Sequence, residues 1–169
     1  IEKLNTSAVT HMSSLFLNCS SLTSLDLSNW DTSVTTDMSS LFGGCKSLTS
    51  LNLSGWDTSA TTDMSWMFSS CSALTEIKGI EQLNTSAVTN MGYLFNGCSS
   101  LTTIDLSGWD TSATTNMSRL FGSCSALTEI KGIEKLNTSA VTNMSRLFEG
   151  CSSLKSLDLS GWDTSATTD

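Results

Sequence analysis

Six cysteines stand at Cys19, Cys45, Cys71, Cys98, Cys124 and Cys151, at intervals of 26, 26, 27, 26 and 27 residues. Met12, Met38, Met64, Met91, Met117 and Met144 keep those intervals, and so do Phe16, Phe42, Phe68, Phe95, Phe121 and Phe148. No other feature constrains the chain as much. Self-similarity at a period of about 20–50 residues marks an array whose units cannot bury their apolar faces alone and must stack on their neighbours. The phase slips by one residue in the two units that carry Lys78-Gly79-Ile80 and Lys131-Gly132-Ile133, where the others read Asp-Leu or Asn-Leu, and then recovers.

Each unit divides into two halves. The first reads Leu22-x-x-Leu25-x-Leu27, repeated at Leu48, Leu51 and Leu53 and at Leu101, Ile104 and Leu106. Alternate apolar residues over so short a run predict a strand with one face inward. The second half reads Val9, Met12, Leu15, Phe16, Cys19. Steps of three and four predict a two-turn helix, with Thr or Asp as N-cap and Gly43-Gly44, Gly97 or Gly150 as stop signals. Between the halves stands Trp30-Asp31-Thr32-Ser33, recurring at Trp56, Trp109 and Trp162, with Leu4, Leu83 and Leu136 in the Trp place elsewhere. That place is expected to be buried, and the Asp or Asn after it to shape a corner by bonding nearby backbone.

A strand and a short helix in every unit predict an α/β repeat fold. Strands would pair in parallel about 4.8 Å apart along a concave face, and the wider helices would force a curved leucine-rich-repeat solenoid. Residues 1–169 are read as one such segment of about six units. Because both ends fall inside a repeat, it is read as the interior of a longer array.

The phrase Leu-x-x-Leu-Asp-Leu-Ser-x-Trp-Asp-Thr-Ser-x-x-Thr-x-Met-Ser-x-Leu-Phe-x-x-Cys-x-Ser resembles the bacterial surface protein 26-residue repeat, a family allied to the BspA-like leucine-rich-repeat surface proteins. The resemblance covers Leu4 to Asp169 and departs from the pattern where Lys-Gly-Ile replaces Asp-Leu-Ser. It implies an exported bacterial protein, wall-attached or lipid-anchored, used in adhesion.

Charge narrows the partners. A formal charge of −8 repels phosphate backbones, so nucleic acid is not expected. No apolar run approaches the ~20 residues that span a bilayer, so this segment is not expected to insert in a membrane. One histidine, His11, stands where other units have Asp37, Asp63, Asn90, Asn116 and Asn143, and reads as a surface substitution. Without a second histidine no Ser-His-Asp or Cys-His arrangement can recur, so no catalytic residue, metal or cofactor is expected and the chain reads as non-enzymatic. One cysteine per unit, ending an apolar stripe, reads as a reduced buried column in preference to disulfides or metal ligands. The corner column of Asp31, Asp57, Asn84, Asp110, Asn137 and Asp163 needs an acceptor and not a charge, which favours a structural corner over calcium.

Two candidate surfaces stand out. The middle position of Met-Ser-x-Leu-Phe reads Ser14, Ser40, Trp66, Tyr93, Arg119, Arg146, and Trp, Tyr and Arg are the residues most enriched at binding hot spots. Trp66, Tyr93, Arg119 and Arg146 are therefore candidate partner-binding residues. On the expected concave face, Glu76, Lys78, Glu129 and Lys131 interrupt columns of Ser and Asp, and with Asp105 they form the second candidate surface. The leading expectation is a cell-surface, extracellular module adhering to a protein or glycan of a host or neighbouring cell. The alternatives are a stalk or filament that self-associates end to end, and ice binding through two threonine ranks, Thr6 to Thr164 and Thr10 to Thr168.

Overall fold

The computed structural model describes residues 4–169. Its regular strands are short: β1 (Ser50–Asn52), β2 (Glu76–Lys78), β3 (Thr103–Asp105) and β4 (Glu129–Lys131). β1 pairs with β2 and β3 with β4, both in parallel, with Leu51 opposite Ile77 and Ile104 opposite Ile130. The middle residue of each strand is buried, and its neighbours face outward or are half-buried.

Each pair joins a shorter unit to the longer unit after it, while β2 and β3 are not paired. The inserted residue accounts for the link. β2 and β4 run into Gly79 and Gly132, both left-handed with φ of 78° and 76°, and then into one turn of 3-10 helix. A Cβ at Gly79 would lie 2.7 Å from the Ser54 nitrogen, and one at Gly132 would lie 2.6 Å from Ser107 Cα. Only glycine fits both the torsion and the approach. The turn so formed presses back onto the preceding unit, whose Leu53 and Leu106 amides donate to the carbonyls of Lys78 and Lys131 at 2.9 and 2.8 Å.

The second half of each unit is not the helix its spacing predicted. The only helices among the described residues are the two 3-10 turns, Ile80–Gln82 and Ile133–Lys135. From Met12 onward, alternate amides leave the unit altogether. Met12, Ser14, Phe16 and Asn18 donate to the carbonyls of Asp37, Ser39, Leu41 and Gly43, each in the next unit, at 2.6 to 2.9 Å. The amides between them, Leu15, Leu17 and Cys19, return three residues to Met12, Ser14 and Phe16. The backbone is thus a run of linked turns with left-handed residues at Ser14 and Asn18, a torsion no α-helix contains. Met12, Phe16 and Cys19 recur at helical spacing because a turn, like a helix, advances three or four residues between points on one face.

Parallel bridges also join His11 to Asp37, Asp37 to Asp63, Asp63 to Asn90, Asn90 to Asn116 and Asn116 to Asn143. The turn run therefore carries contact between units without a break, whereas the strands do so only in pairs.

The interior is built of side-chain columns. Phe16, Phe42, Phe68, Phe95, Phe121 and Phe148 stack with centroids 5.5 to 6.0 Å apart. Each such contact contributes about 0.5–1.5 kcal/mol beyond area burial. Beside them lie the Met column from Met12 to Met117, the leucines of the strands and the Trp place, filled by Trp30, Trp56, Leu83, Trp109 and Leu136. Cys45, Cys71, Cys98 and Cys124 are fully buried free thiols, and each donates to a phenylalanine carbonyl of the preceding unit (Cys45 to Phe16, at 3.2 Å).

Candidate functional site

The turn run fixes where the variable column points. In all six units the middle residue of Met-Ser-x-Leu-Phe, of Met64-Ser65-Trp66-Met67-Phe68 or of Met91-Gly92-Tyr93-Leu94-Phe95 has φ between 50° and 61°. A left-handed torsion costs an L-residue on the order of 1–2 kcal/mol through its Cβ, least for Asn and Asp. Ser14 and Ser40 fill the place in two units, whereas Trp66, Tyr93, Arg119 and Arg146 bear large side chains on the same torsion.

The structure brings three of these four together. Trp66 and Tyr93 stack with centroids 3.8 Å apart and planes 6° from parallel. The Arg119 guanidinium carbon lies 5.8 Å from the Tyr93 ring centre, and its Nη2 meets Glu149 at 3.1 Å. Trp66 remains 43% exposed. Tyr93 and Arg119 are half-buried, held between neighbours, while Arg146 is exposed and makes no ion pair among the described residues. Glu149 did not stand out in the sequence. It belongs to a different column, and only stacking places it beside Arg119.

On the side of Trp66 away from Tyr93 the column falls back to Ser40 and Ser14, leaving a groove of about 310 Å³. Its floor is Gly43 and Gly44, and Leu17 and Lys46 stand at its edges with Ser40, Ser69 and Ser70. Leu17 is itself exposed. Nothing in the sequence marked this groove, because Gly43 reads as a stop signal until it is placed between two large side chains.

The strand-side candidates form a second, smaller place. Glu76, Lys78, Glu129 and Lys131 are exposed, and Asp105 is half-buried. The parallel register sets Asp105 against Lys131 and Asn52 against Lys78. The Ser107 hydroxyl and amide hold the Asp105 carboxyl below its usual range, and Lys131 and Lys135 add to the effect. Where β2 and β3 fail to pair, a cleft of about 160 Å³ opens between Glu76, Ile77, Glu81, Asp105 and Lys131. No group of three or more His, Cys, Asp or Glu side chains suited to a metal ion occurs among the described residues.

The remaining columns have structural duties. Asp31, Asp57, Asn84, Asp110, Asn137 and Asp163 each accept the amide of the serine two residues on. The same Asx turn is made by Asp37, Asp63, Asn90, Asn116 and Asn143. Of the two threonine ranks, the one from Thr6 to Thr138 points inward, and each hydroxyl donates to a carbonyl of the next unit. Only the rank of Thr10, Thr62, Thr89, Thr115, Thr142 and Thr168 is exposed along its length, with Thr36 half-buried.

A family described as Mycoplasma protein of unknown function, DUF285, matches the chain three times, over residues 1–78, 51–132 and 101–169. Neither the curated proteins nor the solved structures gave a match.

Proposed function

The chain belongs to this tandem-repeat family, which matches it along its whole length, and from that premise we propose that it is a non-catalytic binding module of a cell-surface protein. The observation that carries this reading is the Trp66–Tyr93 stack. Two large aromatic rings stand stacked on neighbouring units at a place that serine fills in others, and one ring stays partly in solvent. Exposed Trp and Tyr are the side chains most enriched at binding hot spots, which supports a contact outside the chain.

In this reading the units form a leucine-rich-repeat solenoid of the BspA-like kind, supported by the buried Leu48, Leu51 and Leu53 of the strand half and by parallel pairing one unit apart. The module acts outside the cell, adhering to a protein or glycan of a host or neighbouring cell, and needs no cofactor. Trp66 and Tyr93 are the contact residues, with Arg119 supporting Tyr93 from behind. The strand-side charges from Glu76 to Lys131 are the alternative contact surface.

A spacer or filament role is the second reading, favoured by the unbroken bridges from His11 to Asn143. Binding of the wild type and of Trp66→Ser/Tyr93→Ser to immobilised matrix proteins and glycans decides between them. Serine is the residue other units use at that place, so the fold is kept. Saturable binding lost in the double variant supports the module. Binding that persists moves contact to the strand side, and no binding together with concentration-dependent assembly supports the spacer.

A further inference from the structure

We infer that the groove beside Trp66 takes one neutral pyranose ring of a glycan, laid flat on the free face of the indole. The inference rests on the reading of Trp66 as a contact residue and adds the chemical class of what it contacts.

Three observations on the groove point to a sugar. One face of Trp66 is covered by Tyr93; the opposite face looks over Ser40, whose side chain is small, and Gly43, which has none, so that face stays open. The electron-rich face of an aromatic ring attracts the polarised C–H groups on one side of a pyranose. Around that face stand hydrogen-bonding groups: the Asn18 amide, the hydroxyls of Ser40 and Ser70, and the Lys46 ammonium. None of these four makes a side-chain hydrogen bond among the described residues, although most other Asn and Asp side chains close an Asx turn.

The same rim argues against other occupants. An apolar side chain would bury these groups unpaired, at about 1–3 kcal/mol for each one fully desolvated. A cationic side chain would be repelled by Lys46. A ring that is apolar on one face and hydroxylated at its edge satisfies both parts of the site, and the groove lies at the small end of the roughly 300–1,000 Å³ range of ligand pockets.

The test uses two variants that copy residues found elsewhere in the same columns. Trp66→Ser takes the residue of Ser14 and Ser40. Gly43→Asn takes the residue of Asn96, fills the groove floor and leaves Trp66 and Tyr93 in place; the nearest atom to its Cβ is the movable end of Leu17, at 3.0 Å. Wild type and variants are titrated with neutral hexose and N-acetylhexosamine oligosaccharides by calorimetry and screened on a glycan array. Circular dichroism and melting confirm that each variant is folded. Saturable binding that weakens at least about tenfold in both variants, the effect of losing one hot-spot contact, supports the inference. If no neutral glycan binds, yet an immobilised protein is bound and Trp66→Ser removes that binding while Gly43→Asn does not, the sugar assignment falls and the contact role of Trp66 stands. If Trp66→Ser alters binding to neither class, both fall.

Discussion

At the scale of single residues, the tryptophans show how the inserted residue is used. Trp109 and Trp162 follow the two longer units, and their indole N–H groups donate to the carbonyls of Ile80 and Ile133, the first residues of the 3-10 turns, at 2.8 and 2.9 Å. Trp56 follows a shorter unit with no such turn, and its buried Nε1 finds no acceptor among the described residues. A buried donor without a partner costs about 1–3 kcal/mol, whereas a satisfied one contributes about 1 kcal/mol. Trp109→Phe and Trp56→Phe remove the same atoms from the same column, so the shared cost of lost packing cancels between them. Trp109→Phe is expected to destabilise by at least about 1 kcal/mol more than Trp56→Phe in urea unfolding. Equal losses would show that the Ile80 carbonyl gains nothing from the indole. The need for an apolar residue at this place was legible from Leu83 and Leu136 alternating with Trp; the acceptor was not, because it comes from a turn one unit away.

At the scale of the element, the turn run explains why burial was legible and backbone conformation was not. Which residues face inward depends on steps of three and four, and those steps are common to a helix and to linked turns. The decisive difference is where the amides of Met12, Ser14 and Phe16 find their carbonyls, and a partner 25 residues ahead leaves no local mark in the sequence. The same geometry encloses the thiols. Burial pushes Cys45 up to about 11 and Cys71 and Cys124 up to about 12, and raises Cys98 well above the usual thiol range; the neighbouring thiol of the column adds to the shift in each case. Only the thiolate reacts with alkylating agents. At pH 8 in the folded state, iodoacetamide is expected to modify exposed Cys19 first and half-buried Cys151 more slowly, leaving Cys45, Cys71, Cys98 and Cys124 unmodified until denaturant is added. Peptide mass spectrometry over time reads the order. Labelling of Cys71 or Cys98 as fast as Cys19 would show that the turn run opens on its own and does not seal the column.

At the scale of the whole molecule, the period itself was the most legible property, and what it could not reveal was which elements carry the stack. The sequence predicts one continuous sheet, yet β2 and β3 do not pair, and the bridges from His11 to Asn143 run on past that gap. Stability should then depend on keeping the turn-run columns in phase, and removing a whole unit tests this directly. Deleting residues 38–63 joins Asp37 to Met64 and returns each column to its own kind: Asp to the bridge, Met and Phe to the core, Trp66 to the place of Ser40. In a linear array each unit contacts only its neighbours, so the shortened chain is expected to stay folded, with the urea m-value reduced by about one-sixth. Deleting 38–62 instead leaves Asp37 followed by Asp63, one extra residue at the head of a turn run. The longer units accommodate their extra residue at Gly79 and Gly132, where glycine makes a left-handed turn, and Asp63 has no such provision. That variant is expected to lose cooperative unfolding, because a slip of one residue moves a column of apolar side chains out of the core. Two deletions that differ by one residue and unfold alike would mean that the columns do not set the register. Loss of structure in one alone would locate the fold's specificity in the turn run rather than in its strands.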